Sequence, residues 1–347
     1  MKPLKIGELC AGYGGLGMAV EEVFGAELAW VSEFDEAPSK ILAHHWPDVP
    51  NHGDMTKIDW AAIEPVDIIS GGTPCQDLSH AGRRAGMTEG TRSNLWVQMR
   101  EAIATIKPTY VVWENVRGAY SAEANSSLES CPGCLGDTTD GRVFLRALGR
   151  VLGDLSDLGY DCQWRGLRAA DVGAPHGRFR VFILATHRDG FRRKRARDSR
   201  GRGPGFEDGS ASFADTKGER RHDGHPGNLR AASRGINLPI NAGHATARAL
   251  GAPAETQWGE YEHAIRRWES VLGRRAPAST EPTGRKGGHM LSARFAEWMM
   301  GVPDGWIVDV PGISRNEALK AAGNGVVPQQ AAAALRDMLG YQAEAVA

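Results

Sequence analysis

The chain of 347 residues has little cysteine and no long apolar run. Its five cysteines are an odd number and too few for a disulfide scaffold, so we expect reduced thiols and a cytoplasmic protein. No stretch of about 18 consecutive apolar residues occurs, and the first residues lack the apolar core of a signal peptide. The sequence therefore predicts no attachment to a membrane.

The chain also lacks an excess of charge of one sign. Its 41 Lys and Arg against 42 Asp and Glu give a net charge of -1, which argues against a uniformly basic nucleic-acid binder. The charges are unevenly distributed: residues 1–186 hold 17 basic and 24 acidic side chains, residues 187–290 hold 20 and 12, and residues 291–347 hold 4 and 6. The middle segment, at +8, suits a phosphate-rich partner, although its basic run FRRKRARDSRGRG (191–203) is also typical of a solvated loop.

Short apolar runs alternate with amphipathic stretches over the first 186 residues. Strands are predicted at 4–9, 27–33, 66–72, 109–115 and 178–186, and helices at 18–24, 37–45, 94–106 and 144–158. This alternation predicts an α/β fold with a doubly wound, mostly parallel sheet. The pattern is irregular afterwards, with helices predicted again at 291–303 and 329–339. We expect one domain from residues 1–186 plus 312–347 and a smaller, irregular domain at 187–311.

A glycine-rich loop follows the first predicted strand. The segment LCAGYGGLG (9–17) joins that strand to a helix, and Glu33 ends the next strand. Glycines let the backbone approach a ligand, and a carboxylate at the second strand end can hold ribose hydroxyls. Alone, this pattern fits many nucleotide and S-adenosyl folds, and a purely structural glycine turn also fits it.

Two further strand ends carry reactive groups. In GGTPCQ (71–76) Cys75 lies on a rigid turn, where a thiolate can act as a nucleophile. Glu114 leaves the apolar strand YVVW, so burial can raise its pKa and let it act as an acid. For Cys10 and Cys162 we favour a buried structural role.

Taken in order, these motifs resemble those of the cytosine-C5 DNA methyltransferase family, bacterial or phage type. Pro-Cys-Gln with Glu-Asn-Val is highly specific to that family, and the likeness covers most of residues 4–186 and 290–340. Its further segments are Gly53-Asp54, GTRSNLW (90–96), GAPHGRFR (173–180), RFAEWMMGVPDGW (294–306) and GNGVVP (323–328). One departure is His176, where the family usually has Gln.

The resemblance implies a Rossmann-like S-adenosylmethionine-dependent methyltransferase fold with a target-recognition domain, and a set of site residues. Cys75 would add to cytosine C6, with Glu114 at N3 and N4, Arg180 at O2, and Arg178 and Asn115 stabilising the surrounding loops. S-adenosyl-L-methionine would lie against Gly12, Tyr13, Gly14, Leu16, Glu33, Phe34, Asp54, Asn324 and Val326. DNA would be contacted by Ser79, Arg83, Arg84 and Arg92.

The resemblance also implies the partners. The substrate would be duplex DNA with the target base flipped out of the stack. We expect a monomer that acts alone or beside a restriction endonuclease in a restriction-modification system, without a stable complex. An RNA (tRNA) cytosine methyltransferase and a non-catalytic DNA-binding relative remain alternatives.

Cys131 and Cys134 form a CxxC pair in an apparent insertion at about 118–142. Such a pair can supply half of a tetrahedral zinc site, but the sequence shows no second pair with metal-binding spacing. We therefore favour a tight turn with free thiols, and predict no metal centre.

Overall fold

The computed structural model describes residues 2–73, 95–120, 123–124, 145–189, 258–282 and 288–344. All of them belong to one compact unit, Met1–Arg197 with Gln257–Ala347. Within these ranges, every helix is too short or too polar to cross a membrane.

Six of the described strands form one sheet. In chain order, all ten described strands are β1 (Leu4–Leu9), β2 (Ala26–Ser32), β3 (Ile68–Gly72), β4 (Tyr110–Val116), the short β5 (Glu123–Ala124) and β6 (Leu145–Arg146), β7 (Tyr160–Arg168), β8 (Phe179–His187), and the short β9 (Thr280–Glu281) and β10 (Met290–Leu291). The sheet order is β2-β1-β3-β4-β8-β7, while β5 pairs with β6 and β9 with β10. Strands β1 to β4 are parallel, and β8 runs antiparallel to both β4 and β7.

Helices cover both faces of this sheet. They are α1 (Gly15–Phe24), α2 (Glu36–His45), α3 (Leu95–Ile106), α4 (Ala147–Asp157), α5 (Glu262–Leu272), α6 (Ala293–Met299), α7 (Arg315–Asn324) and α8 (Pro328–Glu344). Strand residues alternate between two cores: Val111 and Trp113 pack with α3 and α4, whereas Val112 packs with α1 and α8. Strands buried on both faces read as continuous apolar runs, which is why the sequence reveals them. The predicted α/β fold with a mostly parallel sheet is confirmed.

A third core joins the helices after residue 258 to the rest of the unit. Trp268 of α5 and Trp298 of α6 are fully buried in it, together with Tyr13 of the glycine-rich loop. The indole of Trp268 donates to the carbonyl of Trp298 at 3.0 Å. Described residues of the predicted 187–311 domain therefore pack in the same unit as the sheet, and the domain boundaries themselves stay predictions.

Three of the longer described elements are absent from the sequence prediction. Strand β7 lies at the sheet edge, so its side chains alternate only weakly between buried and exposed positions. Helix α5 buries only Ile265 and Trp268 fully, in a segment whose composition is irregular. Helix α7 buries only alanines, but a capping box between Ser314 and Glu317 marks its start and was the available signal.

A buried carboxylate organises the turn after α6. Glu297 is fully buried and accepts hydrogen bonds from the backbone N–H groups of Gly305 (2.8 Å), Ile307 (2.7 Å) and Val308 (2.9 Å). This one side chain satisfies three backbone donors that would otherwise have no partner in the interior.

Removing that carboxylate should destabilise the fold. We expect Glu297→Ala to lower the free energy of unfolding by about 3 kcal/mol, because buried donors lose their acceptor. Urea denaturation measures this, with Glu36→Ala as the control because Glu36 is a largely exposed carboxylate paired only with Lys40. Equal effects of the two substitutions would contradict the organising role of Glu297.

Candidate active site

The site lies where the strands end. Parallel strands bring their carboxyl ends to one edge of the sheet, so the loop after β1, Glu33 after β2, Thr73 after β3 and the end of β4 are neighbours. Because β8 is antiparallel to β4, its first residues reach the same edge.

The register between β4 and β8 brings two charged side chains together. Val116 lies opposite Arg180, and Glu114 lies opposite Phe182. The Arg180 Nε is 2.7 Å from Glu114 Oε1, and the two side chains are only 12% and 10% exposed. Burial raises the pKa of Glu114, while the guanidinium groups of Arg180 and Arg178 act in the opposite direction. The carboxyl is thus held in place by a cation in surroundings whose burial disfavours its negative charge.

Gly72 makes room for this carboxyl. A Cβ at Gly72 would lie 2.7 Å from Glu114 Oε2, which is closer than real contacts allow. Glycine at the end of β3 is therefore a steric requirement of the Glu114–Arg180 pair.

Asn115 holds the end of β3. Its amide Nδ2 donates to the Thr73 backbone carbonyl at 3.2 Å and lies 3.1 Å from Thr73 Oγ1. The indole Nε1 of Trp113 donates to the same hydroxyl at 3.2 Å. Thr73 is the last described residue before Pro74 and Cys75, so these contacts fix the point from which the cysteine-bearing segment departs. Thr73 belongs to the GGTPCQ motif, but nothing in the sequence predicts this role for it.

Arg178 lies beside a different loop from Arg180. Its Nη1 donates to the Gly323 carbonyl at 2.8 Å, and its Nη2 donates to the Gly325 carbonyl at 2.6 Å. These are carbonyls at the C-terminal end of α7, where a cation is favoured by the exposed acceptors of the last turn. Exposed Asn324 lies between them.

Tyr13 contacts the same loop from the other side. Its hydroxyl donates to the Val326 carbonyl at 2.5 Å, and its ring is fully buried. The Trp306 indole in turn donates to the Tyr13 carbonyl at 3.0 Å. The side chain of Tyr13 therefore packs inside the protein, and so does that of Leu16. Gly14 packs against the Trp46 ring, where a Cβ would come within 2.7 Å, whereas Gly12 leaves the loop backbone bare.

A second group of side chains surrounds the glycine-rich loop. Glu33 accepts hydrogen bonds from the Gly12 N–H at one oxygen and from the Asp35 N–H at the other, both at 2.8 Å. Each carboxylate oxygen can accept a further hydrogen bond, so Glu33 retains capacity for ligand hydroxyls. Nothing in the described protein lies within 4 Å of a Cβ placed at Gly12, so the loop faces open space.

Phe34 and Asp54 flank this open space. Phe34 is 73% exposed at the end of β2. Asn51 bonds the backbone of Glu33 through both of its amide atoms and also accepts from the Gly53 N–H, which brings Asp54 alongside Phe34. An adenosyl group would fit the combination of the exposed Phe34 ring, the partly exposed Asp54 carboxylate, the Glu33 carboxylate and the open loop backbone at Gly12.

His176 connects the site to the end of α6. Its Nε2 lies 3.0 Å from the Met299 carbonyl, and burial lowers the pKa of the imidazole. His176, which departs from the family pattern, thus connects the 173–180 loop to the backbone at the end of α6.

The predicted site residues fall into three sets. Described catalytic candidates gather around the β4–β8 edge, and these are Glu114, Asn115, Arg178 and Arg180. Described cofactor candidates line the β1–β2 edge and the loop after α7. The remaining predictions, Cys75, Ser79, Arg83, Arg84, Arg92, Cys131 and Cys134, lie outside the described residues.

A sequence model described as C-5 cytosine-specific DNA methylase matches residues 4–340. The chain therefore belongs to the C-5 cytosine-specific DNA methylase family, as its motifs predicted. Curated relatives include a DNA N-6-adenine-methyltransferase of Escherichia phage P1, 33% identical over 54% of this chain and 29% of its own length. Type II methyltransferases M.NgoBV of Neisseria gonorrhoeae and M.HhaI of Haemophilus parahaemolyticus are 30% and 27% identical, over 54% of this chain and 42% and 50% of their own lengths. The matched part thus spans at most half of these relatives.

The fold is shared with solved structures. Dnmt2 methyltransferase of S. pombe aligns over 95% of this chain and 96% of its own, with a TM-score of 0.53 and 14% identity. A Spodoptera frugiperda DNMT2 mutant aligns over 95% and 97%, with a TM-score of 0.52 and 14% identity. At this identity the likeness supports the methyltransferase fold alone.

Beneath the glycine-rich loop lies a buried carboxyl that the sequence analysis did not identify. Glu8 of β1 is 1% exposed, and its Oε1 accepts from the Gly17 N–H at 2.9 Å. Its Oε2 has no hydrogen-bond partner among the described residues. Burial, with smaller contributions from the charges of Glu21 and Glu33, raises the pKa of Glu8 from its ordinary 4.5 to about 8.

This shift predicts a pH-dependent stability. Between about pH 4.5 and pH 8 the unfolded chain has lost the Glu8 proton while the folded chain keeps it. Folding then takes up a proton, so the free energy of unfolding should fall as pH rises, by up to about 1.4 kcal/mol per pH unit. Chemical denaturation from pH 5 to pH 8 should show a shallower fall for Glu8→Gln. Glu27→Gln, at an exposed position, is the control and should follow the wild-type slope; a parallel slope for Glu8→Gln would contradict the assignment.

Proposed function

We propose that this protein transfers a methyl group to C5 of cytosine in duplex DNA. The observation that carries the proposal is the buried Glu114–Arg180 pair at 2.7 Å, adjoining the Asn115–Thr73 contact that fixes the start of the cysteine-bearing segment. Family membership supports the same reaction. The name of the phage P1 relative gives an N-6-adenine activity, but 71% of that protein lies outside the match. No contact described in this site favours that activity.

The reaction needs a nucleophile and a partner for the ring nitrogen. The Cys75 thiolate adds to C6, and electrons move toward N3, where a protonated Glu114 can neutralise the developing charge. Arg180 would donate to the cytosine O2. C5 becomes nucleophilic and would take the methyl group as S-adenosylhomocysteine leaves. Water would then accept the C5 proton, the electrons of that bond would expel the Cys75 thiolate from C6, and N3 would return its proton to Glu114.

S-adenosyl-L-methionine would supply the methyl group. Glu33 would accept from the ribose hydroxyls, Phe34 would stack against the adenine, and Asp54 would accept from its amino group. The bare backbone at Gly12 and the N-terminus of α1 would face the methionine carboxylate, with Gly14 shaping the turn between them. Asn324 and Val326 would close the methionine end.

The target base would have to leave the duplex, since C5 is inaccessible within the stack. We propose that Ser79, Arg83, Arg84 and Arg92 contact the DNA around the flipped base. The +8 segment at 187–290 would supply attraction to phosphates and target recognition. Action as a monomer, beside an independent restriction endonuclease, is part of the same proposal.

The nucleophile is tested by Cys75→Ser. We expect methylation to be abolished while S-adenosylhomocysteine binding, measured by calorimetry, stays within about twofold of wild type. Tritiated methyl transfer to genomic duplex DNA and to tRNA provides the readout, and methylated positions are mapped by bisulfite sequencing. Transfer to tRNA in place of DNA would overturn the proposed substrate, and turnover by the variant would overturn the nucleophile.

The acid is tested by Glu114→Gln. The amide is nearly isosteric but cannot donate a proton to N3, so kcat should fall at least about 100-fold while DNA affinity changes much less. Thermal unfolding checks that the variant folds. Asp161→Asn is a control because this carboxylate also pairs with an arginine, Arg188, but at the start of β7 and the end of β8. Near-normal kcat in Glu114→Gln would contradict the assignment.

A further inference from the structure

We infer that Arg178 is a positioning residue that couples cofactor binding to cytosine binding, without contacting the cytosine itself. The inference rests on the proposed function and specifies how its two subsites communicate. The resemblance groups Arg178 with the catalytic residues, whereas two of its guanidinium nitrogens donate to the loop that carries Asn324.

The first support is the geometry of the guanidinium. Its two terminal nitrogens bond two carbonyls, Gly323 at 2.8 Å and Gly325 at 2.6 Å, on either side of Asn324. A planar fork that spans two acceptors restricts both position and rotation of the loop, which a lysine ammonium cannot do to the same degree. Arg178, which lies beside the proposed cytosine site, thereby positions Asn324 at the proposed cofactor site.

The second support is the close contact on the other side of the loop. Gly325 lies against the Tyr13 ring, where a Cβ would come within 1.8 Å of ring carbon Cε1. A Cβ at Gly15 would lie 2.4 Å from the Val326 carbonyl oxygen. Residues 323–326 therefore lie between Arg178 and the glycine-rich loop. The close contacts of Gly325 and Val326 leave no space for this segment to move toward the glycine-rich loop.

The third support is the connection to the base-binding pair. Arg178 is two residues from Arg180, and its own carbonyl accepts from Ala169 N–H at 2.8 Å and from the buried Gln330 amide at 3.0 Å. The backbone that carries both arginines is thus rigidly supported. A base that binds Arg180 and a cofactor that contacts the Asn324 loop would therefore act on one supported stretch of backbone.

Such a connection has a thermodynamic consequence. If base binding changes the preferred position of the cofactor loop, DNA must change cofactor affinity by some factor, and the cofactor must change DNA affinity by the same factor. If Arg178 only stabilised the fold, replacing it would lower the stability of the protein and leave that factor unchanged.

The test measures the factor directly. Calorimetry gives the Kd of S-adenosylhomocysteine with and without a duplex that carries the mapped target sequence, for wild type, Arg178→Lys and Arg178→Met. Arg188→Met is the matched control, since Arg188 follows β8 at the opposite edge of the sheet and pairs with Asp161 at 2.9 Å.

We expect S-adenosylhomocysteine affinity without DNA to fall about tenfold in Arg178→Met and less in Arg178→Lys. The ratio of the two Kd values should move at least about threefold toward one in both variants and stay at the wild-type value in Arg188→Met. A wild-type ratio of one, or an unchanged ratio in the Arg178 variants, overturns the inference.

Folding and the proposed reaction are separated from this outcome. If Arg178→Met does not fold, as judged by circular dichroism, Arg178→Lys decides alone. If wild-type protein methylates no DNA, the proposed function fails on its own assay. The inference fails separately, through the Kd ratio of a protein that does methylate.

Discussion

The antiparallel register of β8 against β4 is the constraint on which the site depends. In a fully parallel sheet the start of a strand lies at the far edge from the carboxyl ends. Reversing β8 puts its first residues beside the last residues of β4, so Arg180 meets Glu114 at 2.7 Å. Because side chains alternate between faces, a slip of one residue would turn Arg180 to the opposite face and leave Glu114 without its cation.

The Glu114–Arg180 pair is costly to bury and therefore informative. Removing a carboxylate and a guanidinium from water is repaid only by close, well-oriented contact. Replacing a buried ion pair with a well-packed hydrophobic pair is often neutral or stabilising, so a buried pair is weak evidence for a purely structural role. A carboxyl whose pKa is raised by burial, yet which is oriented by a cation, has the properties required of an acid that acts on a ring nitrogen.

Much of this could be predicted from sequence, and the failures have physical causes. Strands buried on both faces are visible as apolar runs, and reactive residues at strand ends are visible as motifs, which is how Glu114, Asn115 and Glu33 were found. Long-range contacts are not visible: the destination of the Arg178 guanidinium, 145 and 147 residues along the chain, depends on how α7 docks. Likewise nothing local in the sequence reveals that the Tyr13 side chain faces Val326 and the interior.

The C-terminal segments position the glycine-rich loop at the proposed cofactor site rather than merely covering the sheet. Trp306 bonds the Tyr13 carbonyl, and Val326 accepts the Tyr13 hydroxyl, so the glycine-rich loop is positioned by residues 293 and 313 places further on. Contacts of such separation close large loops and form late in folding. The glycine-rich loop thus reaches its position at the proposed cofactor site only when the helices after residue 293 have docked. The same docking is therefore required for the stability of the fold and for a site that can bind its ligand.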